Sequence, residues 1–181
     1  MAKHEPLSVE TLRHEVADGR IDTVAVSITD MQGRLQGKRI HAQYFVDEVL
    51  AHATEGCNYL LAVDVDMNTV EGYAMSSWDS GYGDMVMRPD LNTLHRVPWH
   101  PGTVGVLCDV LWEDGSDVVA SPRQVLRQQL SRLEAAGMGA YVGTELEFIL
   151  FQDTYEEAWL AGYRDLTPAN LYNVDYSMLG T

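Results

Sequence analysis

The spacing of apolar residues changes several times along the chain, and each change marks an element. Val9, Leu12 and Val16 recur at helical spacing behind Ser8, a residue suited to capping, and Gly19 ends the run. Residues 21–28 are valine-rich and alternate as a strand does. Asp30, Met31, Gln32 and Gly33 read as a turn, with residues 34–40 as the returning strand of a hairpin. A helix is expected over 41–53, with Tyr44, Phe45, Val49 and Leu50 as its apolar set, and a short strand over 58–65. Residues 69–83 mix glycine, serine and aromatics without a period, so they read as a long loop of the kind that often carries function. Strands are expected at 84–88 and 103–112, with turns at 89–90 and 113–116. Ser121 and Pro122 open a helix in which Val125, Leu126, Leu130 and Leu133 face one way, and Gly137 ends it. A strand over 141–151 and a helix over 153–162 follow, and the remainder is loop-like.

This order predicts an α+β fold. A leading helix occupies 1–19, a β-grasp (ubiquitin-like) domain 20–112, and the start of a second domain 113–181. The last of these has too few elements to close a core alone.

Composition narrows the function classes. The chain has 181 residues and a formal net charge of -15, with 12 basic residues against 27 acidic ones. No basic stripe offers a face to nucleic acid, and the acidity disfavours anionic membranes. No stretch reaches membrane-spanning length, and the first residues lack the apolar run of a secretory signal. Cys57 and Cys108 both sit in apolar company, which suits buried thiols in a reducing compartment. A cytoplasmic protein is expected. The six histidines show no metal-ligand spacing, and no phosphate-binding P-loop pattern is present.

The stretch 141–151 carries the chemistry. On a strand, Glu145 and Glu147 would share one face with Tyr141, Ile149 and Phe151, their Cβ atoms about 6.5–7 Å apart. The opposite face is almost wholly apolar, and burying two unpaired carboxylates beside it would be costly unless a cation met them. Magnesium prefers such oxygen ligands together with substrate phosphates, and two ions side by side can clamp a transferring phosphoryl group. On spacing alone an edge strand with both carboxylates in water remains an alternative.

The run TELEFILF (144–151) resembles the start of the catalytic domain of the glutamine synthetase family. The preceding helix (121–138), the hairpin ITDMQGRLQGKRI (28–40), the segment GYGDMVMRPDLNTLHRVPW (81–99) and LTPANLYNVDYSMLGT (166–181) match that family in order. The resemblance implies a β-grasp domain followed by the truncated start of a catalytic domain. It implies a ligase that phosphorylates the γ-carboxylate of glutamate with ATP and lets ammonia or a small amine displace the phosphate. Glu145 then matches a ligand of the Mg²⁺ or Mn²⁺ ion facing the nucleotide, and Glu147 a ligand of the ion near the amino acid. It further implies a homo-oligomer of stacked rings, in which the loop around Ser76 and Ser77 reaches a neighbouring subunit's active site. Ala74 stands near where ammonia-using members carry an aspartate, which would leave room for a substituted amine. The family's remaining metal ligands and most substrate contacts come later than Thr181, so the 181 residues alone are expected to be inactive. The competing reading is a catalytically inert assembly or regulatory module of the same family.

Overall fold

The computed structural model describes residues 7–73, 75 and 83–170. The chain forms two compact units, 1–139 and 140–181.

The first unit is a helix-covered mixed sheet. Helix α1 (Val9–Ala17) starts where expected: Ser8 Oγ accepts the Thr11 backbone N–H at 3.1 Å, and Leu12 is fully buried. Strands β1 (Thr23–Thr29) and β2 (Leu35–His41) form the antiparallel hairpin, with Gly33 at φ 82° in its turn. Alternation along β1 buries Val24, Val26 and Ile28, each burial stabilising by roughly 1.5–3 kcal/mol.

Helix α2 (42–52) contains a π-helical stretch, Phe45–Val49. Phe45, Val46 and Val49 face the core, whereas Tyr44, expected there, is exposed. Strand β3 (Thr54–Cys57) precedes a 3₁₀ turn at Asn58–Leu61. A strand expected over 58–65 is therefore displaced upstream. Residues Leu61, Ala62 and Val63 are buried in succession, and an apolar run that short does not distinguish a strand from a buried turn.

Strands β4 (Asp84–Pro89), β5 (His95–Arg96) and β6 (Thr103–Leu111) complete the sheet, whose order is β2-β1-β6-β4-β3 with β5 also beside β6. Strand β6 runs parallel to β1 and antiparallel to β4. Val104, Val106, Cys108 and Val110 on it are buried, as a central strand requires. Burial pushes the Cys108 thiol up to about 12, so it stays protonated.

Helix α3 (Pro122–Ala135) also belongs to the first unit. Arg123 bonds Asp90 and donates its Nε to Asp109 Oδ1 at 2.8 Å, while Arg127 reaches Asp109 Oδ2 at 2.5 Å. Two charged groups of one helix thus grip β6 and the turn after β4. The apolar positions Val125, Leu126 and Leu130 lie exposed.

The second unit is small. Phe151 bridges Pro168, Gln152 N–H donates to Thr167 C=O at 2.9 Å, and Ala169 N–H to Leu150 C=O at 2.8 Å. Between these arms lies helix α4 (Tyr155–Leu160), opened by a capping box of Thr154 and Glu157. Among the described residues, no helix is long and apolar enough to cross a membrane.

Candidate functional site

The expected strand over 141–151 does not form. Residues 139–150 adopt no regular structure, and only Phe151 at their end makes a bridge. The reason is physical: a strand is held by its neighbours' hydrogen bonds, and among the described residues segment 141–151 is met by another segment only at its end, where Ala169 N–H donates to Leu150 C=O and Phe151 bridges Pro168. Its side chains are exposed on both faces, Leu146 at 86% on one and Ile149 at 73% on the other. The expectation of two carboxylates inside an apolar sheet is corrected accordingly. Glu145 and Glu147 are both exposed, and neither makes a hydrogen bond or ion pair among the described residues.

Their chemistry still suits a hard cation, since both are oxygen donors with no competing partner among the described residues. They do not form a shell by themselves. Among the described residues no group of three or more histidine, cysteine, aspartate or glutamate side chains could hold a metal ion. The donor type fits magnesium or manganese, and further ligands would have to join them.

Ser76 and Ser77 lie outside the described residues, but the segment's ends are described. Asn58 N–H donates to Gly83 C=O at 2.9 Å, and Asn58 Nδ2 donates to Met75 C=O at 2.6 Å. Asn58 is buried, and the apolar pattern of 58–65 assigns it to a strand without a role. A lone polar residue opening an apolar run was the available signal.

Two further residues explain motifs that pattern reading only matched. Asp90, which ends the stretch DMVMRPD (84–90) within the family-like run 81–99, caps the 3₁₀ turn at Leu91–Thr93 and bonds Arg123. Asp30, in the hairpin turn, accepts from Gln32 N–H, Arg34 N–H, Arg34 Nε and Gln36 Nε2. Burial would raise its carboxyl, but these bonds outweigh that and hold it below the ordinary range. Arg34 then reaches the carbonyls of Asp64 and Val65, and Gln32 that of Val63, so the hairpin turn grips the chain that leads into the 69–83 segment.

Residues 119–174 match the family model for the glutamine synthetase catalytic domain. Over 176 residues, 97% of this chain, the sequence is 67% identical to the gamma-glutamylethanolamide synthetase GlnA4 of Streptomyces coelicolor. This chain belongs to the glutamine synthetase family. It is 32% identical over 179 residues to a glutamate–isopropylamine ligase of a Pseudomonas species. The chain spans 38% and 39% of the lengths of these two relatives. Among solved structures, the GmaS/ADP complex aligns with 69% of this chain and 26% of its own at TM-score 0.53 and 22% identity. A novel glutamine synthase homolog aligns with 78% of this chain and 35% of its own at TM-score 0.54 and 20% identity. Both structural likenesses concern the fold alone.

Proposed function

We propose that the chain is the N-terminal part of an ATP-dependent ligase that joins a small amine to the γ-carboxylate of glutamate through γ-glutamyl phosphate. The observation that carries this reading is the 67% identity, along nearly the whole chain, to a gamma-glutamylethanolamide synthetase. Ethanolamine is the first acceptor to test. Ala74, at the place where ammonia-using members carry an aspartate, supports a substituted amine over ammonia.

In this reading Glu145 and Glu147 are ligands of two Mg²⁺ or Mn²⁺ ions, and later parts of a longer chain complete the shells and pair with segment 141–151. When bound, the ions neutralise charge on the transferring phosphoryl group. The protein's task is to hold ATP and glutamate in line and to exclude water. Ser76 and Ser77 contribute to a substrate site shared between subunits of a ring-shaped homo-oligomer. Residues 20–112 are a β-grasp domain. Its support is a first hairpin, a crossover through α2, and the last long strand, β6, parallel to β1 at the sheet's centre. The 181 residues alone do not catalyse.

In the full-length protein, Glu145→Gln with Glu147→Gln should abolish Mg²⁺-dependent phosphate release with ATP, glutamate and ethanolamine. Unchanged turnover in the folded double variant would overturn the metal assignment.

The exposure of both glutamates also favours a second reading, an inert assembly or regulatory module of the same family. That reading expects no phosphate release from the full-length wild type with any of ammonia, ethylamine or ethanolamine.

A further inference from the structure

A cavity of about 220 Å³ lies where the end of α2 meets β4 and the turn after it. Residues 49–53 line one side, and Val86, Arg88, Pro89 and Leu91 line the other. Pockets for drug-sized ligands measure roughly 300–1,000 Å³, so this one has room for a molecule of amino-acid size. All of its lining residues belong to the first unit.

Arg88 is a cation left over. It stands directly across from Asp109 in the β4–β6 ladder, so the two side chains share a face. Asp109 is already taken, because Arg123 Nε donates to its Oδ1 at 2.8 Å and Arg127 reaches its Oδ2 at 2.5 Å. Among the described residues the Arg88 guanidinium makes no hydrogen bond or ion pair. Its planar fork of donors suits a carboxylate.

The other side of the cavity has the opposite need. The last carbonyls of a helix lack partners within it and carry its negative end. At the end of α2 the Ala53 N–H donates to Val49 C=O at 2.9 Å. Among the described residues no N–H donates to the carbonyls of Leu50, Ala51 or His52. Ala53 then leaves the helix at φ 62° and ψ -166°, a conformation that strains any residue but glycine, and such strain collects at ligand sites.

A simple carboxylate would meet Arg88 but not the carbonyls, and a simple amine would do the reverse. A zwitterion satisfies both. We propose that this cavity binds a free aliphatic amino acid. Its carboxylate sits on Arg88, its ammonium on the carbonyls that end α2, and its side chain against Val49, Val86 and Leu91. The cavity needs no residue of the ligase site, so it stands whether or not the full-length protein is a ligase.

Hydrogen exchange on the full-length protein tests this with three probes of one shape. L-leucine carries both charges, 4-methylpentanoate lacks the amine, and 3-methylbutylamine lacks the carboxylate. With Kd on the order of 1 mM, about 10 mM L-leucine should slow exchange roughly tenfold in peptides covering residues 49–55 and 84–91. Each truncated probe loses one charge-assisted contact and should give no more than about twofold protection. Arg88→Gln should cut the leucine effect to about twofold, while Arg13→Gln, on the exposed side of α1, should leave it unchanged. Absence of protection by L-leucine in those peptides would overturn the proposal. So would equal protection by either truncated probe, or full protection in Arg88→Gln. The three probes decide the point on the wild type alone, should that variant fail to fold.

Discussion

Arg34 Nε donates to Asp30 Oδ2 at 2.7 Å, and the Asp30 side chain is completely buried while Arg34 remains a third exposed. The pair closes the β1–β2 turn and, through Arg34, binds the carbonyls of Asp64 and Val65. Asp30 is held below the ordinary carboxylate range. Its stabilising contribution is therefore present above about pH 4 and is lost as pH falls through the lowered folded value. Asp30→Asn should cost about 2–3 kcal/mol at pH 7, short of a fully buried pair because Arg34 is partly in water. The deficit should shrink toward pH 3. Urea melts of both proteins at the two pH values measure it.

Gly37 faces the backbone of β1. A Cβ built there would lie 1.9 Å from the Val26 carbonyl oxygen, and backbone cannot yield as a flexible side chain can. Gly37→Ala should destabilise by at least about 2 kcal/mol and lower Tm by several degrees. An unchanged melting curve would show that the hairpin accommodates the methyl group.

The two cysteines should react very differently. Burial pushes Cys108 up to about 12, whereas Cys57 is half-buried. Iodoacetamide at pH 8 should label Cys57 and spare Cys108 until the protein unfolds, as peptide mass mapping would reveal. Because the Cys108 value is raised, its contribution to stability is complete below about pH 8.5 and declines as pH rises toward 12.

Arg123 ties helix α3 to Asp90 and Asp109, and all three side chains are about four-fifths buried. Arg123→Ala should cost about 1–3 kcal/mol, since it leaves two carboxylates short of a partner. Faster hydrogen exchange confined to α3 and the Asp90 turn would support this. A uniform rise across the sheet would contradict it.

The segment 141–151 exposes Val142, Leu146, Phe148, Ile149 and Leu150. An exposed apolar cluster of this kind, unbroken over 148–151, is an association hazard. The 181-residue chain should self-associate at micromolar concentration, and Leu146→Lys with Phe148→Lys should suppress it. Dynamic light scattering on both proteins decides the point.

Local chemistry determined much of this molecule. Ser8, Gly33, Gly115 and the Ser121-Pro122 pair mark element boundaries through capping, positive φ or a fixed φ, and these effects act within a few residues. The alternation of Val24, Val26 and Ile28 was likewise legible, because side-chain period follows from backbone geometry alone. The family was legible for a related reason, as short motifs keep their order along the chain. Other features depend on partners distant in sequence. Only the fold brings Asn58 to Met75, Arg123 to Asp90 and Asp109, and Arg34 to Asp64 and Val65. It also decided where the pattern misled: residues 141–151 have the alternation of a strand, yet among the described residues a neighbour meets them only at Leu150 and Phe151, so no strand forms, and Glu145 and Glu147 stand in water. Periodicity is a property of one segment, whereas a sheet is a property of at least two.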